Sequence, residues 1–394
     1  MIVLFAPDSF KGTLTSVEVA RALADGWLRA RPDDEVLLCP LADGGEGTLE
    51  AVAAAGGWEW QVSEVLGMDL DRLNVRWLRS SEGSRAFVEL AQSSGLSLVK
   101  PDDLGVQLRE TFGTGETLSA VIGTGVRAIT LGIGGSATND GGSGVLEALG
   151  ARLSGEDARL LVPSDDGVSP TPPTLLVAVD HVDLSGLDPR LADVDLKVAC
   201  DVSNPLLGPT GATATYGPQK GVQGDDAWML ERGLEAWADA LEAASGRRER
   251  DTPGAGAAGG VGFGLLAIQD RFRSFALRPG VDLVMEATDF DARLARADLV
   301  ITGEGRIDAQ TAFGKTALGV AKRAQAAAKP CIGVGGSVEP DGIAALAAVE
   351  ARAVPVWETP VPLEVALAAG AAPLEACGER LARAWTPAAF RPRA

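Results

Sequence analysis

The chain opens on an apolar run, MIVLFAP, that predicts a short buried strand, followed by the polar stretch DSFKG and then TSVE. TSVE spells a capping box, with Thr15 capping a helix and Glu18 reaching back to it. Behind it Ala20, Leu23, Ala24 and Trp27 fall on one helical face, which predicts the buried side of that helix. EVLLC reads as the next strand, PLADGGEGT as its loop, and LEAVAAAG as a helix ending at Gly56. A β-α-β-α start of this kind is typical of a parallel sheet.

From about Trp58 to Leu90 the pattern changes to strand-like runs (WEWQVSEVLG, NVRWLRS, RAFVELA) without long helices. Alternation of helix and strand returns at GETLSAVIGTGV, RAITLGIGG and GVLEALGARL. Residues 162–174, rich in Pro, Ser and Asp, read as a surface loop. A helix over 226–244 carries Leu230, Leu234, Trp237 and Leu241 as a core stripe. From ADLVITGEG onward the chain is β-α-β-α again, with PCIGVGGS and ARAVPVW as strands. The two ends are alike and the middle differs. The pattern therefore predicts an α/β chain: one doubly wound domain built from residues 1–62 plus 290–394, an inserted second α/β domain of residues 63–289, and a cleft between them.

The length of 394 residues agrees with two or three domains, and 46% hydrophobic residues suffice for real cores. No run approaches the ~18 apolar residues of a membrane span, and Met1–Pro7 lacks the basic region of a signal peptide, so a cytoplasmic protein is expected. A net charge of −19 argues against nucleic acid or an anionic membrane as partner. The four cysteines show no paired spacing and sit mostly in apolar runs, which predicts buried free thiols. With a single histidine, His181, read as a strand-end or loop residue, general-base work falls to carboxylates. The basic residues are 28 Arg and only 7 Lys, yet Lys11, Lys220 and Lys315 each lie beside a glycine. A compact point charge facing an anion accounts for that choice, and a solvated loop lysine is the competing reading.

The densest glycine run is LGIGGSATNDGGSG, Leu131–Gly144. A tight strand-to-helix connection alone would explain it. The sharper expectation is that Gly134 and Gly135 leave backbone N–H groups uncovered for an anion such as phosphate where the chain enters a helix. In an open parallel sheet the loops at the carboxyl ends of the strands hold the ligand, which puts Asp8, Ser9, Lys11, Asp43, Glu46, Glu304, Arg306 and Asp308 along one rim. Cations, carboxylates and bare backbone together suit phosphoryl transfer. No G-x-G-x-x-G follows the first strand, and AQTAFGKT, though close to a phosphate-loop pattern, lies six residues beyond its strand and reads as a chance match.

Taken in order, APDSFKGTLTSVEVA, PLADGGEGT, GIGGSATNDGG, ACDVSNPLLG, YGPQKG, GAGAAGGVGFG and DLVITGEGRIDAQT closely resemble the motifs of the glycerate kinase type I family, from residue 1 to about 340. The resemblance implies a discontinuous Rossmann-like domain and Mg²⁺-assisted, ATP-dependent phosphorylation of D-glycerate, usually to 2-phosphoglycerate. Lys11, Lys220, Arg306 and Lys315 are similar to the family's motif cations, and Asp8, Asp43, Asp201 and Glu304 to its motif acids. Within that set Lys11, Asp201 and Arg306 are assigned to catalysis, and Asp8, Ser9, Asp43, Glu304 and Lys220 to the substrate. Gly134, Gly135, Ser136, Asn139 and Lys315 are assigned to nucleotide phosphates; no metal ligand and no oligomeric state is assigned. Tyr216 stands where the family often has Phe, Ala317 where it usually has Pro, and no site is carried onto 162–174 or the tail. A nicotinamide-dependent oxidoreductase and a non-catalytic acid-binding protein are the rival readings.

Overall fold

The computed structural model describes residues 1–100, 105–156, 161, 170–309, 311 and 316–386. Its strands are β1 (Ile2–Phe5), β2 (Glu35–Leu38), β3 (Trp58–Leu66), β4 (Arg72–Ser80), β5 (Arg85–Glu89), β6 (Ala128–Gly132), β7 (Arg152–Ser154), β8 (His181–Asp183), β9 (Asp195–Ala199), β10 (Ser274–Arg278), β11 (Leu299–Ile307), β12 (Cys331–Val338) and β13 (Ala351–Pro355). The chain divides into two compact units, one of Met1–Asp43, Gly47–Gly57 and Pro279–Ala394, the other of Gly44–Glu46 and Trp58–Arg278.

The first unit holds a five-stranded sheet in the order β13-β12-β11-β1-β2, parallel at every pairing. The apolar parts of its central strands are buried, Val3–Phe5 in β1 and Leu299–Ile301 in β11, as expected where both faces of a parallel sheet are covered. The capping box is present: Thr15 Oγ1 accepts from the Glu18 N–H at 3.3 Å, and Glu18 Oε2 accepts from the Thr15 N–H at 2.8 Å. The helix it starts, Ser16–Ala30, buries Ala20, Leu23, Ala24 and Trp27. That face meets the helix Ala372–Ala384 at near backbone contact. A Cβ added at Gly26 would lie 1.9 Å from the Glu375 carbonyl oxygen, and one at Gly378 would lie 2.2 Å from that of Leu23. Two glycines thus set this helix spacing. Phe5, Leu23, Trp27, Leu299, Ile332 and Leu381 belong to the resulting core.

The second unit contains a six-stranded sheet in the order β10-β9-β6-β5-β4-β3. β10, β9, β6 and β5 run parallel, while β4 is antiparallel to both β5 and β3. A separate antiparallel pair joins β7 and β8, with His181 exposed at the start of β8 beside Asp180. The helix Asp225–Ser245 buries Leu230, Leu234, Trp237 and Leu241, the stripe expected of it. Its Trp237 Nε1 donates to the Gly141 carbonyl at 3.0 Å, tying the helix to the glycine-rich loop. All four cysteines are free thiols; Cys39, Cys331 and Cys377 are buried. Among the described residues no helix is long and apolar enough to cross a membrane.

Glu147 follows this loop and accepts two bonds from Thr171, from the N–H at 3.0 Å and the hydroxyl at 2.7 Å. Burial outweighs those bonds and pushes its carboxyl up to about 7. A raised carboxyl stabilises the fold below its unfolded pKa, and that contribution is lost as pH rises through 7. Glu147→Gln should therefore gain on wild type between pH 5 and pH 8, by about 1–3 kcal/mol. Urea denaturation at the two pH values checks this, and an unchanged difference would rule out the buried acid as its source.

Candidate active site

The carboxyl ends of β1, β11, β12 and β13 all open on one cavity of about 880 Å³ within the first unit. The Asp8 N–H donates to the Gly303 carbonyl at 2.8 Å, so the loop leaving β1 is fastened to β11. Asp8 is buried; its Oδ2 accepts from Thr316 Oγ1 at 2.6 Å and its Oδ1 from the Ser9 N–H at 2.6 Å. Burial, and then the neighbouring charge of Asp43, hold its carboxyl up at about 6 against those bonds and the charge of Lys11. Ser9 is half-buried, Lys11 is exposed, and both line the cavity together with Asp43.

Glu304 and Arg306 alternate along the end of β11 and both reach the cavity, as residues two apart on a strand do. Glu304 is buried and accepts from Thr311 Oγ1 at 2.8 Å, and that hydroxyl accepts from the Asp308 N–H at 3.1 Å. The exposed Arg306 is steadied by two acids: its Nε lies 3.1 Å from Glu339 Oε1 and 3.1 Å from Asp308 Oδ2, and its Nη2 also bonds Glu339. The rim thus gathers Asp8, Ser9, Lys11, Asp43, Glu304 and Arg306, six of the residues expected there.

Asp308, also expected there, is buried in the first unit beside Arg306; the other expected residues lie in the second unit, apart from Lys315, which lies outside the described residues. The glycine-rich loop is less bare than expected. The Gly134 N–H donates to the Gly44 carbonyl at 3.3 Å, and a Cβ at Gly134 would come within 2.7 Å of Gly45 Cα. Glycine at 134 therefore permits a backbone contact, and its N–H is occupied. Gly135 is exposed with φ +74°, a conformation that favours glycine. Ser136 and Asn139 are buried; Asn139 Nδ2 donates to Thr213 Oγ1 at 3.1 Å.

Lys220, expected to meet substrate, is buried, and its Nζ donates to Ser136 Oγ at 2.9 Å and to the Thr138 carbonyl at 2.7 Å. Burial lowers its pKa to about 7, opposed by the charge of Asp140. Two of the three ammonium N–H groups thus hold the loop. Asp201 follows β9 with its side chain exposed. The next turn is fixed by Asn204, whose Nδ2 donates to the Thr210 carbonyl at 2.8 Å and whose Oδ1 accepts from the Tyr216 hydroxyl at 2.7 Å. Phe at 216 could not make that last bond.

Four contributors escaped the sequence reading: Glu339, Thr311, Thr316 and Asp140. Glu339 braces Arg306 across 33 positions, and Thr311 and Thr316 bond Glu304 and Asp8. Asp140, present in the glycine-rich motif, is fully buried and accepts from the Thr111 N–H at 2.8 Å, the Thr111 hydroxyl at 2.6 Å, and the N–H groups of Gly142 and Gly144 at 3.0 and 3.3 Å. An Asp directly before two glycines in a turn was its available signal. Among the described residues no group of three or more His, Cys, Asp and Glu is arranged to hold a metal ion.

An α/β chain with acids and cations gathered at the carboxyl ends of parallel strands is the kind of scaffold on which small-molecule enzymes are built. The glycerate kinase family model matches residues 3–386. A glycerate kinase of Bacillus subtilis (strain 168) is 42% identical, the alignment covering 90% of this chain and 92% of that protein. A glycerate 2-kinase of Escherichia coli (strain K12) is 40% identical over 86% of each chain. A crystal structure described as a candidate glycerate kinase 2 from Salmonella typhimurium LT2 superposes with a TM-score of 0.83 at 39% identity, covering 97% of both chains. The chain belongs to the glycerate kinase family and is an enzyme of that family.

Replacing Lys220 by Met keeps the length of the side chain but removes two buried charge-assisted bonds, at an expected cost of about 2–4 kcal/mol. Urea denaturation at pH 6, where the ammonium is charged, measures it. A variant as stable as wild type would show that Lys220 does not hold the loop.

Proposed function

We propose that this chain transfers the γ-phosphoryl group of ATP to a hydroxyl of D-glycerate with Mg²⁺ present, giving 2-phosphoglycerate. The observation that carries this reading is the single rim on which the cations Lys11 and Arg306 face the carboxylates Asp8, Asp43 and Glu304. Phosphoryl transfer needs little covalent chemistry from a protein and much positioning and charge stabilisation. Lys11, exposed and unbranched, serves as a point charge for a phosphate or carboxylate oxygen, and Arg306, held by Glu339 and Asp308, offers a pre-set planar donor.

Asp8 and Asp43 lie close enough for one charge to raise the pKa of the other, and a dication between them relieves that repulsion. Mg²⁺ favours oxygen donors and is ordinarily held by one or two carboxylates together with phosphates, so this pair fits it. The ion, when bound, neutralises phosphate charge. Ser9 and Glu304 hold the acceptor, and the exposed carboxylate of Asp201 takes the hydroxyl proton. Gly135 and Ser136, with Gly134 and Asn139 shaping their loop and Lys220 bracing it, contribute to the phosphate path, as does Lys315.

The doubly wound, Rossmann-like reading of residues 1–62 plus 290–394 around an inserted 63–289 is supported by the strand order, which reverses direction between β1 and β11. The strongly acidic surface supports small-molecule partners and a cytoplasmic location, with neither nucleic acid nor membrane bound.

Purified protein given ATP, Mg²⁺ and D-glycerate should release ADP only when glycerate is present, with 2-phosphoglycerate identified by ³¹P NMR. ADP release indifferent to glycerate would refute the reading. Asp201→Asn removes the charge and keeps the shape, so turnover should fall roughly 10²-fold with folding intact. Lys11→Ala should lower kcat/KM by roughly ten- to a hundredfold, the loss of one charge-assisted bond. Wild-type kinetics in either variant would remove that residue from its role.

A further inference from the structure

The cavity in the first unit is two-sided. Its polar side is the rim with Lys11, Arg306 and Ser337; its other side is made by the chain beyond β13 and is almost wholly apolar. Trp357 packs against the core of the unit and also lines the cavity. Beyond it, the short helix Leu363–Ala368, sequence LEVALA, buries none of its residues although five of six are apolar. Leu363 is 73% exposed and Leu367 45%, and both line the cavity. Exposed apolar side chains gathered on one wall of a concave site, beside a polar rim, mark a ligand surface.

We propose that this apolar wall, with Trp357 and Leu367 at its centre, receives the purine base and ribose of the phosphoryl donor, whose phosphates lie toward Lys11 and Arg306. The inference rests on the reading of ATP as donor and goes further by assigning the wall to one substrate. Of the two reactants only the nucleotide has both an uncharged planar aromatic part and a polyanionic part. Glycerate is a three-carbon acid, polar at every carbon, with nothing to offer an apolar face. A volume of about 880 Å³ also falls in the range that encloses a ligand of nucleotide size and far exceeds what glycerate fills. Stacking on an indole does not depend on hydrogen-bond pattern, so the wall favours purines by area and shape.

The test is calorimetric titration of Mg·ADP, without turnover, into wild type and Leu367→Asp, and tryptophan emission during the same titration of wild type and Trp357→Phe. Leu367 is exposed, so an Asp there loses no core packing; Leu363→Asp repeats the test should the first variant fail to fold. Leu367→Asp should weaken ADP roughly tenfold or more, since it sets an anion against the base, and leave the KM for glycerate within about twofold. Emission quenched by ADP in wild type should be largely unquenched in Trp357→Phe. Unchanged ADP affinity, an effect confined to glycerate KM, or equal quenching in both proteins overturns the assignment. Should ADP bind with these losses while glycerate draws no phosphoryl transfer, the wall assignment stands and the glycerate reading falls. Glycerate phosphorylation with ADP affinity indifferent to Leu367 has the opposite meaning.

Discussion

The first unit depends on one pairing, that of β1 with β11, in which Val3 lies opposite Leu299 and Phe5 opposite Ile301. It joins the first strand of the chain to one almost 300 positions later. Closing so long a loop costs chain entropy, although that cost grows only slowly with length, and buried apolar strands repay it. Polar bonds then fix the register: the Ile2 N–H donates to Asp298 Oδ2 at 2.8 Å and the Thr302 hydroxyl to the Ala6 carbonyl at 2.8 Å. A slip by one residue would turn every strand side chain to the other face and would also part Asp8 from Glu304 and Arg306.

Electrostatics in this unit follow from that register. Asp8 is driven into a buried position by the strand before it and cannot swing away from Asp43, so its carboxyl is held near 6. Arg306 faces the opposite condition: it is exposed, and without Glu339 and Asp308 its long side chain would sample many rotamers. The two acids, Glu339 partly exposed and Asp308 buried, restrict the rotamers of the guanidinium on its exposed side. Two neighbouring strand ends thus carry, after β1, a buried acid whose charge is costly and, on β11, an exposed cation whose position is restrained.

Much of this was legible in the sequence because it is written in local signals. The capping box at Thr15, the stripe Leu230-Leu234-Trp237-Leu241 and the apolar strand MIVLF each depend on spacing within a few residues, and each forms as read. The rim was legible too, because strands of a parallel sheet end on the same side and their following loops must gather there. What stayed hidden depends on distant partners. Nothing near Arg306 announces Glu339, and nothing in YGPQKG says that Lys220 turns inward to Ser136 and Thr138. A glycine-flanked lysine reads the same whether its ammonium faces an anion or caps a carbonyl.

The glycine-rich loop shows the same ambiguity resolved by packing. Glycine permits both a bared N–H and a close backbone contact, and composition cannot tell them apart. Gly141 packs against Trp237, where a Cβ would lie 2.4 Å from the indole Cδ1, while Gly135 faces outward. Beneath them Asp140 gathers Thr111 and the N–H groups of Gly142 and Gly144, and Lys220 holds Ser136 and Thr138. A buried anion and a buried cation are thereby anchored on neighbouring residues of one loop, each largely satisfied by backbone and hydroxyl groups. Such an arrangement stiffens the segment that presents Gly135, since moving it would strip bonds from two charges in a low-dielectric interior. The conformation of Gly135, with its φ of +74°, is thereby fixed by the bonds beneath it, and the cost of ordering this stretch is met in folding.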